Sequence, residues 1–159
     1  MKSLLMTLAV CATIRAPICA QGAVTATATP YGQDCSNVSA TATPPLLGST
    51  CYVSIHNAPT PITTLSVGAS RTSTFWGPLP MSLAPAGMPN CWLLQSHDLT
   101  HTNTVYTFWP NVVMHGIDIP NQTALLGVSA YIQAISYAPT INYAGAVTSN
   151  GVTLLIGNQ

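Results

Sequence analysis

The chain has 159 residues, of which three are Lys or Arg and three Asp or Glu, so only 4% of it is charged and the formal net charge is zero. With no basic footprint for phosphates, nucleic acid is excluded as a partner. With no Glu anywhere, the paired carboxylates of a glycosidase have little to be built from.

Residues 1–20 read as a secretory signal: Lys2, the apolar run Leu4–Ala12, then Pro17 and the small residue Ala20. Arg15 interrupts the apolar run, so a membrane-spanning helix of about 20 residues does not fit and no transmembrane segment is expected. Cleavage is expected after Ala20, with room for a shift of a residue or two because Ile18 stands where Ala is more usual. Val10 and Ile18 precede Cys11 and Cys19, which argues against a lipoprotein anchor. Taking 20 residues from 159 leaves 139, one domain with enough chain for a two-layer core. Its charges are Arg71, Asp34, Asp98 and Asp118, a side-chain net of −2. A neutral surface of Thr, Ser, Asn, Gln and Ala lacks the repulsion that keeps secreted monomers apart, which points to self-association or a sugar coat.

In an oxidising compartment the three remaining cysteines allow one intrachain disulfide. Cys51 lies in Cys51-Tyr52-Val53-Ser54-Ile55, on the apolar face, and reads as a buried free thiol. Cys35 and Cys91 sit beside turn formers and are expected to pair, closing a long loop worth about 3–4 kcal/mol. The absence of a C-x-x-C spacing argues against zinc.

The mature chain opens on Ala23-Val24-Thr25-Ala26-Thr27-Ala28-Thr29-Pro30, which predicts an edge strand ended by Pro30. Thr25–Pro30 recurs nearly unchanged as Ser39–Pro44. Two copies do not make a repeat protein, and the second, stopped by Pro44-Pro45, reads better as an extended linker. Strands are then predicted near 49–56, 62–69, 78–83, 91–96, 103–109, 112–119, 126–137 and 146–156. Turn signals separate them, among them Asn57-Ala58-Pro59-Thr60-Pro61, Trp76-Gly77-Pro78, Pro110-Asn111 and Ala138-Pro139. The strand over 126–137 has the longest period of two: Leu126, Val128, Ala130, Ile132 and Ala134 alternate with Ser129, Tyr131, Gln133 and Tyr137. Asn150-Gly151 suggests a tight hairpin or, because Val147–Ser149 is a short partner, a bulge within one last strand. Eight to nine strands without helical periodicity describe an all-β chain, an antiparallel β-sandwich of jelly-roll-like form.

Candidates for chemistry are few. His97-Asp98-Leu99-Thr100-His101 puts two imidazoles and a carboxylate within five residues, but on a strand the imidazoles lie about 13 Å apart. No metal site is expected there, nor any cofactor; His97, Asp98 and His101 read as a polar loop. His115, in Val113-His115-Ile117-Ile119, is expected to face the core with a hydrogen-bond partner. There is no G-x-S-x-G, and no enzyme is expected. Asn37-Val38-Ser39 and Asn121-Gln122-Thr123 match the glycosylation acceptor pattern.

Aromatic residues offer material for binding. Trp76, with Tyr31 and Trp109, is the candidate platform for a glycan, although a Trp folded over the end of the sandwich is the simpler expectation. Tyr131, Gln133, Ile135 and Tyr137 form the outer stripe of the strand at 126–137. That stripe, together with Val24, Thr25 and Thr27 on the N-terminal strand, is the candidate subunit contact.

Several short motifs carry a resemblance. Thr29-Pro30-Tyr31-Gly32 with Cys35, Pro45-Leu46-Leu47-Gly48-Ser49-Thr50, Asn90-Cys91-Trp92-Leu93, Ile117-Asp118-Ile119-Pro120-Asn121 and Thr148-Ser149-Asn150-Gly151 with Ile156-Gly157 are among them. In this order the chain resembles a family of secreted β-rich domains of planctomycete, myxobacterial and related bacterial exported proteins. The resemblance implies a β-rich exported domain, a bridge between the cysteines matching Cys35 and Cys91, and an apolar environment at Cys51; it implies no activity. The expected function is a secreted, non-catalytic structural protein, a self-associating subunit of an extracellular or cell-surface assembly such as a filament, sheath or matrix. A carbohydrate-binding or adhesion module is the alternative.

Overall fold

A computed structural model describes residues 22–102, 104–108 and 111–159. The expected signal peptide and Trp109 lie outside the described residues. In chain order the strands are β1 (Thr27–Tyr31), β2 (Ser39–Ala42), β3 (Thr50–His56), β4 (Thr63–Gly68), β5 (Ser73–Thr74), β6 (Gly77–Pro78) and β7 (Met81–Ser82). They continue with β8 (Trp92–Leu93), β9 (Leu99–His101), β10 (Thr104–Phe108), β11 (Val112–Asp118), β12 (Ser129–Tyr137) and β13 (Ala146–Leu155). Apart from strands there are only two short 3-10 turns, Ala84–Ala86 and Thr123–Leu125, among the described residues.

The expected antiparallel β-sandwich is what forms. One sheet has the order β1-β13-β12-β4-β9 and the other β10-β11-β3-β2, while β5 pairs with β6 and β7 with β8 as separate ribbons. Setting aside the β5–β8 ribbons, successive strands pair as β2–β3, β4–β9, β10–β11 and β12–β13, so after β1 the chain changes sheet with every pair of strands. A strict jelly roll would change sheet with every strand. The core lies between the sheets: Val53, Ile55 and Val113 from one face Leu65, Ile132, Ala134, Val147 and Val152 from the other, each at most 2% exposed. Burial of such β-branched and aliphatic side chains supplies the main favourable term, about 1.5–3 kcal/mol for each large one.

Boundaries differ from the sequence reading where side chains intervene. The Ser39–Pro44 copy, read as a linker, is strand β2 over its first four residues: Ala40 is 1% exposed, and Ser39–Ala42 pair with Val53–His56 of β3. Apolar Ala40 facing the core outweighs the Pro44-Pro45 stop, which lies beyond the last paired residue. β1 continues through Pro30 to Tyr31, and Pro30 is tolerated because β1 is the edge of its sheet. The long strand starts at Ser129, not Leu126, because Gly127 takes a left-handed φ of 76° and its N–H is given to the Ile156 carbonyl.

The bulge reading of Asn150-Gly151 holds. Gln133 pairs with Gly151 and Ile135 with Thr148, so two steps on β12 face three on β13. The extra residue falls at Ser149–Asn150, and side chains seal it. Ser149 Oγ accepts from the Ala134 N–H at 2.9 Å and donates to the Asn150 carbonyl at 2.6 Å. Cys35 and Cys91, 56 residues apart, form the disulfide; Cys51 is a buried free thiol whose Sγ donates to the Thr43 carbonyl at 3.1 Å. His115 is buried, with Nε2 hydrogen-bonded to Thr63 Oγ1 at 2.7 Å.

Candidate functional site

The chain between β4 and β9 does not make a simple hairpin. Its residues 69–98 fold back over the outer face of the five-stranded sheet, and the two short ribbons β5–β6 and β7–β8 belong to this cover. Across that face runs one row of paired residues, Tyr31, Gly151, Gln133 and Ser66, contributed by β1, β13, β12 and β4.

Gln133 holds the cover to the sheet. Its Nε2 donates to the carbonyls of Trp92 and Ser149, both at 2.8 Å, and its Oε1 accepts the Leu94 N–H at 3.1 Å. The same bonds explain why β8 is only two residues long: the polar backbone beyond Leu93 is satisfied by a side chain instead of a ladder. Tyr31 lies across Gly151, where an added Cβ would fall 2.4 Å from its Cζ, and its hydroxyl donates to the Leu94 carbonyl at 3.0 Å. Tyr131 meets the Tyr31 ring edge-on at 6.2 Å and the Arg71 guanidinium stands 5.9 Å from its centroid. Burial pushes the Tyr31 phenol up to about 12, with Arg71 pulling it down and Tyr131 adding a smaller upward push.

At the other end of the row, Gln95 Nε2 donates to Ser66 Oγ, and the same hydroxyl is hydrogen-bonded to His97 Nδ1. The His97 N–H donates to Gln95 Oε1 at 2.5 Å, which the left-handed backbone of His97 (φ 55°) makes possible. Gly68 leaves the room this needs, since a Cβ there would lie 2.3 Å from Gln95 Oε1. Asp98 Oδ2 accepts from Ser96 Oγ at 2.6 Å and from the Ala69 N–H at 2.7 Å, and these two donors hold its carboxyl below the usual range.

The β5–β6 ribbon projects from this cover. Ser73 pairs with Pro78 and Thr74 with Gly77, so Phe75 and Trp76 are the two central residues of a tight turn. Thr74 Oγ1 donates to the Ser96 carbonyl at 3.1 Å and so fastens the ribbon to the His97 segment. The expectation of a Trp folded over the end of the sandwich is overturned: Trp76 is 61% exposed and Phe75 97%. A two-residue turn has no neighbouring chain to cover either ring. The two rings meet edge-on at 6.3 Å, and the Trp76 ring stands 6.4 Å from that of His97. An aromatic pair and an imidazole therefore stand together, with Asp98 the next residue in the chain and bonded to Ser96 and Ala69.

The other sequence candidates are dispersed. Gln133 is 1% exposed beneath the chain's own cover, so it is removed from the proposed subunit stripe; Tyr131 and Ile135 are half-buried, and only Tyr137 is exposed. Thr25 and Thr27 are exposed, while Val24 is half-buried and its carbonyl accepts from the Asn158 N–H at 2.9 Å. Tyr31 presents little free face. His97 and Asp98 have the partners just described, His101 Nε2 bonds the Gly116 carbonyl at 2.8 Å, and among the described residues no group of three His, Cys, Asp or Glu could hold a metal ion. Ser66 and Gln95 escaped the sequence reading, because nothing in a Ser or a Gln taken singly marks it as buried.

Among the described residues no helix is long and apolar enough to cross a membrane, and the Cys35–Cys91 bridge fits an oxidising environment. No protein-family model, no curated protein and no solved structure matches the chain.

Proposed function

We propose that the chain is an exported, non-catalytic binding module of adhesion type, with the aromatic turn Phe75-Trp76 as its contact and glycans as the ligand class. The observation that carries this reading is the exposure of both rings at the tip of a ribbon anchored to the sandwich. Single exposed apolar side chains such as Tyr143 are ordinary on a surface, whereas two adjacent rings on one anchored turn make a contiguous apolar patch of the kind that marks a contact. A flat indole face suits the apolar face of a sugar ring, and the neighbouring Asp98 carboxylate and His97 imidazole are polar groups of the kind that orient sugar hydroxyls. The bridge between Cys35 and Cys91 and the signal-like first 20 residues support export.

Tryptophan fluorescence tests it. The chain has three tryptophans, and exposed Trp76 is expected to give emission that acrylamide quenches readily. Addition of a bound polysaccharide should shift that emission to the blue and protect it. No change with any of a panel of chitin, cellulose, peptidoglycan and mannan fragments would count against the reading.

Self-association is a second reading, which one observation favours. β1 and β2 are each the outer strand of a sheet, and a cleft of about 690 Å³ lined by Pro30, Tyr31, Asp34, Thr41 and Asn150 lies between them. An outer strand is a template for a further strand, although on β2 the backbone groups of Ala40 are already taken by Asn150. Light scattering after size exclusion separates the two readings: a monomer at micromolar concentration removes the second and leaves the first.

A further inference from the structure

We propose that Ser66 and Gln95 join in an intrachain ester, formed by the protein on itself, that locks the outer cover to the sheet. This modification does not depend on what the aromatic turn binds. The four parts an acyl transfer needs are already in contact at one place. Ser66 Oγ is the nucleophile, His97 Nδ1 the base hydrogen-bonded to it, and the Gln95 carboxamide the electrophile, its nitrogen touching the same hydroxyl. The His97 N–H, on Gln95 Oε1 at 2.5 Å, is the donor that meets negative charge as it develops on that oxygen. A single residue in left-handed conformation thus supplies both base and oxyanion donor.

Placement favours ester over hydrolysis. Ser66 is 1% exposed and Gln95 fully buried, so the carboxamide meets a protein hydroxyl where water is scarce. In the resting arrangement the amide nitrogen faces Ser66, and attack requires the Gln95 side chain to tilt about its Oε1 contact, so that the face of Cδ meets Oγ while Oε1 stays on the His97 N–H. The Ser66 hydroxyl proton passes to His97 Nδ1 as Oγ bonds to Cδ. The charge on Oε1 then collapses, the Cδ–Nε2 bond breaks, and the nitrogen leaves as ammonia with the proton from His97. One O–C bond replaces one C–N bond, no oxidant is used, and loss of ammonia to solvent draws the exchange forward. The product ties β4 to the segment that enters β9 and closes the whole excursion, Phe75-Trp76 turn included, into a covalent loop.

The test is a peptide map of the full-length secreted protein, reduced, digested with pepsin at acid pH to spare esters, and read by mass spectrometry. The expected result is one linked species containing Ser66 and Gln95, lighter by one ammonia than its two peptides together. Hydroxylamine should split it and leave a hydroxamate at position 95. Intact mass alone does not decide, because cyclisation of an N-terminal Gln21 loses the same ammonia. Ser66→Ala should abolish the linked species, and His97→Ala should reduce it at least tenfold at equal time after synthesis. Separate peptides carrying unmodified Ser66 and Gln95 in the native protein would overturn the proposal. So would a linked species that persists in Ser66→Ala.

Discussion

Asn150 Oδ1 accepts the Ala40 N–H at 2.7 Å, and Asn150 Nδ2 returns a bond to the Ala40 carbonyl at 3.1 Å. A side-chain amide of one sheet thereby serves as the strand partner for the outer edge of the other. The bulge at Ser149–Asn150 brings that amide inward, so an irregularity in β13 is what joins the two sheets along this side.

Asn150→Ala should therefore leave both polar groups of Ala40, a residue 1% exposed, without a partner. Buried unpaired groups cost about 1–3 kcal/mol each, and the pair should lower stability by about 2–6 kcal/mol. Urea denaturation would show a lower midpoint with an unchanged slope.

Gly151 is required by Tyr31 rather than by its own backbone conformation. Gly151→Ala places a methyl 2.4 Å from Tyr31 Cζ, and the cost should be about 1–3 kcal/mol. In Tyr31→Ala the same substitution should cost much less, and a double-mutant cycle measures the difference. Additive effects would mean that the ring does not lie on Gly151.

The strands and their periods were legible because alternation and turn residues act locally. Cys51, Val53 and Ile55 face the core as their spacing requires, and Pro59, Pro61, Pro120 and Pro139 lie between strands. Gln133 departs from its expected place for the opposite reason. Its period places it on the outer face correctly, but whether that face meets water depends on a segment 39 residues earlier, at Leu94. The pairing of Cys35 with Cys91 held the clue: the Cys35 N–H is bonded to the Thr148 carbonyl, so a bridge to Cys91 brings the Trp92 segment onto β13. Trp76 departs from its expected cover because it is one of the two central residues of a tight turn, and its hydrophobicity does not bring it a neighbour.

The bridge itself should contribute about 3–4 kcal/mol through its 56-residue loop. Cys35→Ser with Cys91→Ser should lower the urea midpoint accordingly. Cys51, whose thiol burial pushes upward in pKa, should resist iodoacetamide at pH 8 in the folded protein and react once it is unfolded.

Tyr31 predicts a loss of stability at high pH. The fold favours its neutral phenol, so the folded chain holds this proton more tightly than the unfolded one. The contribution is complete below the ordinary tyrosine value of about 10. It falls as pH rises and is lost as the folded value of about 12 is passed. Tyrosinate absorbance, compared with Tyr31→Phe, should show the missing group titrating last, and Arg71→Ala should push it higher still.

The most direct measurement for the account is glycan binding by the native protein and by Phe75→Ala and Trp76→Ala, on an array and then by titration against the best ligand. Both rings are exposed, so each variant should keep the wild-type melting temperature within a few degrees. Trp76→Ala is expected to weaken binding at least tenfold and Phe75→Ala less. Binding that is unchanged in both folded variants, or no glycan bound by the native protein, would contradict it.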